Sequence, residues 1–174
     1  AASLGDGSLE ELKASLAQMT LQAYIFEMRC KVSQGGEYEA FIAAADRDAF
    51  LSALLAMEAC LDDADATEAQ YNEKLDILRS TGDQVVWRFE ESKIRNAWIA
   101  AVSGTISKYK AAAENPGTTY GHIDVGELGK ISAQCESLAK WLNDMVTRQA
   151  RKRKHDEPVL LCADMEEKSK TLAR

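Results

Sequence analysis

The segment LAQMTLQAYIFEMRCKV, from Leu16 to Val32, has apolar residues at steps of three and four. This spacing is typical of one face of an α-helix. A first apolar row begins upstream of the segment, and a second row begins within it. The predicted helix is therefore apolar on one side in its first half and on two sides in its second half. We expect it to enter a bundle with an exposed beginning and a buried end. The first apolar row comprises Leu9, Leu12, Leu16, Met19, Ala23, Phe26 and Cys30; the second comprises Leu21, Ile25, Met28 and Val32.

Helical spacing continues through the rest of the 174 residues, and strand-like alternation is nearly absent. The sequence therefore predicts an all-α, lid-like bundle of about five helices. One helix is long, and Gly82 marks a position at which it could kink, since glycine weakens a helix by roughly 1 kcal/mol relative to alanine. The predicted helices are 8–33, 46–61, 67–113, 124–150 and 162–173.

Two helix starts carry the pattern of a capping box, in which a serine or threonine precedes a glutamate or glutamine by three residues. These pairs are Ser8 with Glu11 and Thr67 with Gln70. The first seven residues lack the basic and apolar regions of a secretion signal. We expect residues 1–7 to be disordered or the edge of an expressed fragment.

Composition limits the classes of function. The chain has 21 basic and 28 acidic residues, a net charge of −7, which argues against a general nucleic-acid binder. The four cysteines are far apart without a CxxC pair, and there are only two histidines, so a structural zinc site is not expected. Scattered cysteines fit a reducing compartment, and we expect a cytoplasmic location. No apolar run approaches the length of a membrane span.

Motifs for catalysis are lacking. The segment VGELGK, residues 125–130, is not a phosphate-binding loop, because Asp124 stands where the first glycine is required and no strand precedes it. We expect no enzyme and no cofactor in this chain. Five basic side chains between Arg148 and Lys154 are expected to form an exposed, mobile loop up to His155, and not a nucleic-acid site, because Asp156 and Glu157 follow at once.

Trp141 lies three residues after Leu138 and four before Met145, at the edge of an apolar row. Aromatic residues at helical spacing usually pack, so we expect Trp141 in the core or at its rim, and not at the centre of a binding surface. Its truncation to alanine is then expected to cost roughly 3–5 kcal/mol.

The segment from Leu21 to Val32 resembles the lid helix of the 70-kDa heat-shock chaperones, which reads Leu-x-x-Tyr-Val/Ile-Phe/Tyr-x-Met/Leu-Arg/Lys. The segment YNEKLDILRSTGDQVVWRF, residues 71–89, also fits, although Cys60 precedes Leu61 where that family has tryptophan. An ordinary lid would end near residue 89. The continuation, with YGHID and KWLND, resembles the large heat shock protein 110 family. The resemblance covers 8–174, with 8–90 as a lid-like part and 91–174 as an extension.

This resemblance implies the C-terminal helical domain of a large chaperone, with ATP bound by an N-terminal domain not present here. The whole protein would be a nucleotide exchange factor for 70-kDa heat-shock chaperones and a holdase for unfolded clients. Alternatives are a stand-alone client-binding surface and a purely structural lid. The expected partner contacts are Glu11, Gln18, Met19 and Gln22; the expected structural anchors are Tyr24, Phe26, Arg29, Trp141 and Leu142.

Overall fold

Helices form all the regular structure of the computed structural model, which describes the backbone of residues 6–172 and side chains from Ser8 onward. No strand occurs in this range, so the all-α prediction is confirmed. The helices are α1 (Asp6–Val32), α2 (Ala44–Ala59), α3 (Glu68–Glu114), α4 (Gly117–Tyr120), α5 (Val125–Ala150) and α6 (Cys162–Lys170), with a 3-10 turn at Glu39–Phe41.

The observed helix ends differ from the predicted ones in a few places. Helix α1 already includes Asp6, so Ser8 lies inside the helix and the predicted capping box with Glu11 is wrong. Helix α6 ends at Lys170, earlier than predicted, and residue 173 lies outside the described residues. The expectation for residues 1–7 also falls largely outside them, since only residues 6 and 7 are described, as helix. Helix α4 and the 3-10 turn were not predicted.

The second predicted capping box is present at the start of α3. The Thr67 N–H donates to Gln70 Oε1 at 2.9 Å, and the Gln70 N–H donates to Thr67 Oγ1 at 3.2 Å. Two backbone donors that lack partners inside the helix are thereby satisfied. This prediction is confirmed, and it places the beginning of the long helix.

Contacts divide the chain into two units, and the first ends at Phe89. Its core is formed by the second apolar row of α1, the 3-10 turn, α2 and the start of α3. Leu21 and Val32 are fully buried, as is Leu54 of α2. The Arg88 guanidinium donates to the Phe41 carbonyl oxygen at 2.9 and 3.0 Å and fixes the turn before α2.

Gly82 allows a close approach between α1 and α3. A β-carbon at position 82 would stand 2.0 Å from the Tyr24 hydroxyl oxygen and 3.1 Å from Phe50 Cζ. Helix α3 continues through this position without a break in its secondary structure. A larger side chain at position 82 would therefore have to displace the Tyr24 ring, a constraint that the sequence pattern alone does not show.

The second unit begins at Glu90 and has its own core, formed by the later part of α3, α5 and α6. Glu91 and Arg95 are its two buried charged residues among the described positions. The Arg95 Nε–H donates to the Leu160 carbonyl oxygen at 2.9 Å, and Glu91 Oε1 accepts from the Cys162 N–H at 2.6 Å. Both side chains thus tie the start of α6 and the segment before it to α3.

Trp141 lies at the rim of the second core. It is partly buried against this core, and the Lys168 Nζ atom lies 5.5 Å from the centre of its ring. The neighbouring Leu142 is 3% exposed and belongs to the core itself, together with Leu138. The tryptophan is therefore only partly covered by this core, and Leu142 contributes the deeper contact.

Candidate interaction surface

The first apolar row of α1 is exposed along its whole length. Its five large members are 50–63% exposed, and Ala23 and Cys30 are exposed as well. The expectation that this row becomes buried near the end of the helix is therefore wrong, and Phe26, expected to be a structural anchor, is 63% exposed. The steps of three and four from Leu9 to Cys30 match the a and d positions of a helix-pairing heptad.

The two apolar rows lie on opposite sides of α1. At 3.6 residues per turn, the mean directions of the first and second rows differ by roughly 180°. The second row, which includes Ile25 and Met28, is packed into the core of the first unit. The first row consequently points directly away from that core, and the described part of the first unit leaves it uncovered.

Polar side chains flank the first apolar row, and half of them are neutral. One flank carries Lys13, Thr20 and Glu27, and the other carries Ser15, Gln22 and Arg29. The Thr20 hydroxyl donates to the carbonyl oxygen of residue 16 at 2.9 Å, so it is used within the helix. These flanks give the row the form of an apolar strip with a polar rim, which is the usual anatomy of a protein contact surface.

An acidic groove lies on the side of α1 that faces the loop after α2. It has a volume of about 590 Å³, and its charged lining includes Glu10 and Glu11 of α1 and Asp62, Asp63 and Asp65 of the loop. Carboxylates from both walls face the same space, which favours cationic over anionic groups there.

Gln18 connects α1 to that loop. Its side-chain amide donates to the Leu61 carbonyl oxygen, and the residue is only partly exposed. The Tyr71 hydroxyl donates to the Asp63 carbonyl oxygen at 3.1 Å and holds the same loop from α3. Gln18 therefore has a structural role in addition to any contact with a partner.

Gln22 borders a second groove, of about 450 Å³, between α1 and the end of α2. Leu55 lines this groove from α2 and is 63% exposed. Gln22 itself is exposed, and Met19, one turn earlier, is 63% exposed in the first apolar row. Of the four expected contact residues, Met19 and Gln22 lie on the apolar strip and its rim, whereas Glu11 and Gln18 line the acidic groove. Leu55 was missed because sequence reasoning assigned no surface role to α2.

Tyr24 and Arg29 attach α1 to its neighbours. The Tyr24 hydroxyl donates to Asp83 Oδ1 at 3.4 Å, and burial together with the Asp83 charge raises the pKa of Tyr24 above its ordinary value. The Arg29 guanidinium donates to the Glu58 carboxylate of α2 as an ion pair. These two contacts fix the rotation of α1 about its axis, and hence the direction of the first apolar row.

The described residues contain no group of histidine, cysteine and carboxylate side chains that could hold a metal ion. None of the helices in the same part of the chain combines the length and apolarity that crossing a membrane requires.

Burial raises the pKa of the Cys162 thiol to about 11, so this thiol is neutral near pH 7. The Arg153 N–H donates to Asp156 Oδ2 at 2.9 Å, and this hydrogen bond lowers the pKa of the Asp156 carboxyl group. The same hydrogen bond folds the basic segment back on itself. That this segment binds no nucleic acid stays a prediction.

Comparison with known proteins gives relatives for nearly the whole chain. Residues 106–174 match a family model described as HYOU1-like, C-terminal domain. The chain is 32% identical over 171 residues to Heat shock 70 kDa protein 15 of Arabidopsis thaliana, covering 97% of this chain and 20% of the relative. It is 34% identical over 161 residues to Heat shock protein 110 of Caenorhabditis elegans, covering 90% and 20%. It is 29% identical over 161 residues to human Heat shock 70 kDa protein 4, covering 90% and 19%.

The chain spans about a fifth of the length of these relatives. No solved structure matches it significantly. The helical fold and these matches define the chain as a helical domain of the large heat-shock chaperone class. Within this class it is similar to Heat shock protein 110, which confirms the resemblance seen in the sequence.

Proposed function

We propose that this domain helps a large chaperone to act as a nucleotide exchange factor, by contacting the nucleotide-binding domain of a 70-kDa heat-shock chaperone through α1. The observation that carries the proposal is the first apolar row, whose five large side chains are 50–63% exposed on the side opposite the core. Contiguous exposed apolar surface with a polar rim is typical of a site of protein contact. The relatives, which include Heat shock protein 110 and Heat shock 70 kDa protein 4, support a chaperone context.

The proposed mechanism is binding without chemistry. A domain that binds one conformation of its partner more tightly than another shifts the partner toward that conformation. Here the favoured conformation would be the open, ADP-releasing form of the 70-kDa chaperone. Met19 would supply apolar contact and Gln22 a hydrogen bond at the rim, while Arg29 with Glu58 would hold the helix in place.

The remaining parts of the proposal concern the whole protein. The chain would have no catalytic activity and no cofactor of its own, and ATP would be bound by another domain of the longer protein. The site of action would be the cytoplasm during the stress response, and unfolded client proteins would be additional partners. The widely spaced cysteines support this location, because single thiols persist in a reducing compartment.

A second candidate function is a client-binding surface that acts as a holdase by itself. The observation in its favour is the composition of the first apolar row, which contains leucine, methionine and phenylalanine. Such flexible apolar side chains adapt to varied partners. In this case the isolated chain would suppress aggregation of an unfolded protein. A purely structural lid would neither suppress aggregation nor bind a chaperone.

The test compares ADP release from a 70-kDa chaperone in the presence of the full-length protein that carries this domain. The double variant Met19→Glu with Gln22→Lys should slow release at least several-fold, because it places charges on the proposed contact. Gln18 is left unchanged, because replacing it would break its hydrogen bond to the Leu61 carbonyl oxygen. A change in protein stability would then be mixed with any change in partner contact. Ile77→Glu is the matched control, since Ile77 is 52% exposed on α3. Equal release with the double variant and the wild type, both correctly folded, would move the contact elsewhere.

A further inference from the structure

We propose that two copies of this chain associate through the first apolar row, with their α1 helices packed antiparallel. The row repeats at alternating steps of three and four over its seven members, which is the pattern of a two-helix coiled coil. Because the row faces away from the core, a second helix can lie along it without displacing any packed side chain. This inference goes beyond the proposed function and rests on the row alone.

Side-chain size favours one register of the pair. In a two-fold symmetric contact, if residue i of one copy faces residue j of the second copy, then residue j of the first copy also faces residue i of the second. The two-fold axis is placed level with residue 21 along both helices, although Leu21 itself faces the core. Three kinds of facing pairs then arise, each occurring twice: Met19 with Ala23, Leu16 with Phe26, and Leu12 with Cys30. Two of these place a large side chain opposite a small one, as close packing of facing helices requires.

Charge on the flanks favours the same arrangement. In this register Lys13 lies beside Glu27 of the second copy, twice by symmetry, and Thr20 and Gln22 each lie beside their own equivalent. The remaining flank pair joins Ser15 to Arg29 of the second copy, so no like charges face each other. Charge complementarity of this kind sets orientation and partner choice in coiled coils.

A parallel pair of helices is less favourable both in the match of side-chain sizes and in the charges on the flanks. It would place Phe26 opposite Phe26 and Ala23 opposite Ala23, so large and small side chains would not alternate across the contact. On the flanks Gln22 would lie beside Glu27, and Lys13 would have no carboxylate opposite it. The row therefore favours the antiparallel pair, with a dissociation constant on the order of micromolar or weaker, as small interfaces usually have.

Sedimentation velocity of the 174-residue chain across the micromolar range tests self-association in the absence of any chaperone. We expect a monomer–dimer equilibrium that Leu16→Glu abolishes and Ile77→Glu leaves unchanged, since both positions are about half exposed and only the first lies on the row. A monomer at all concentrations would overturn the proposal, as would equal loss of the dimer in both variants. Because no chaperone is present, a monomer leaves the exchange-factor proposal standing, whereas a dimer would compete with the chaperone for the same row.

The orientation has its own tests. Lys13→Glu and Glu27→Lys should each weaken the dimer at least several-fold, and the two together should restore it. Leu12→Cys in a Cys60→Ser background should be joined by a short thiol cross-linker from position 12 to Cys30 of the second copy. Cross-links from position 12 to position 12, or a double charge variant weaker than either single one, would overturn the antiparallel arrangement.

Discussion

The Tyr24 hydroxyl of α1 lies against Gly82 of α3, and a β-carbon at position 82 would stand only 2.0 Å from its oxygen. This contact joins the helix that carries the exposed apolar row to the helix that spans most of the first unit's core. The direction in which the row points therefore depends on a glycine far from it in sequence.

Gly82→Ala should destabilise the protein by about 1 kcal/mol, because overpacking costs roughly 1–3 kcal/mol and is partly offset by the gain of about 1 kcal/mol from removing a helix glycine. Denaturant unfolding measures the change. Gly104→Ala is the control, since nothing lies within 4 Å of its β-carbon position, and it should raise stability by up to about 1 kcal/mol. Tyr24→Phe should recover part of the loss at position 82. Equal effects of the two glycine substitutions would show that the close approach is not rigid.

Glu91→Ala should cost roughly 2 kcal/mol, because it leaves the buried Cys162 N–H without its acceptor. The control is Glu90→Ala, at the adjacent exposed position, which should change stability by less than about 0.5 kcal/mol. Unfolding of both variants, followed by circular dichroism, gives the comparison. If Glu91→Ala behaved like its neighbour, the link between α3 and the start of α6 would have no energetic role.

Trp141→Ala should cost about 2 kcal/mol, less than the 3–5 kcal/mol typical of a fully buried aromatic residue. The lower value follows from its position at the rim of the second core, where one face of the ring meets Lys168 instead of apolar side chains. Leu142→Ala, which empties a buried position, should cost at least as much. A loss near 5 kcal/mol for Trp141→Ala alone would place the ring inside the core.

Stability should fall as the pH rises above about 9, in part because of Cys162. Burial raises the pKa of this thiol from 9.0 to about 11 in the folded protein. Between these values the unfolded chain releases the proton and the folded chain keeps it, so the folded state loses stability with rising pH. The full contribution, on the order of 2 kcal/mol, is present below pH 9 and lost above 11. Cys162→Ala should show a shallower decline over this window; an identical decline would assign the effect to other groups.

Hydrophobic spacing was sufficient to predict most of the helices. Thr67 and Gln70 located the start of α3, because a capping box depends only on local sequence. Spacing did not show which of the two rows of α1 enters the core. Both rows have helical periodicity, and the choice depends on the surfaces that α2 and α3 present. Phe26 was placed on the wrong side for this reason.

The polar residues of the surface were harder to predict. Gln18 and Gln22 are one turn apart and chemically identical, so no local sequence pattern distinguishes their roles. Only the fold shows that the Leu61 carbonyl group lies within reach of Gln18, while Gln22 stays exposed at the rim of the apolar strip. Leu55 of α2 joins this surface through a groove that forms between two helices, a relationship that no local pattern encodes.

Methyl NMR of the 174-residue chain, titrated with the nucleotide-binding domain of a 70-kDa heat-shock chaperone, tests most directly whether the first apolar row of α1 is an interaction surface. The chain should be dilute enough to be monomeric, so that self-association does not contribute. We expect shifts at the exposed methyl groups of Leu12, Leu16 and Met19, with little change at the buried Leu54 and Met165. Shifts confined to the second unit, or none at the highest attainable concentration of partner, would contradict this role of the row.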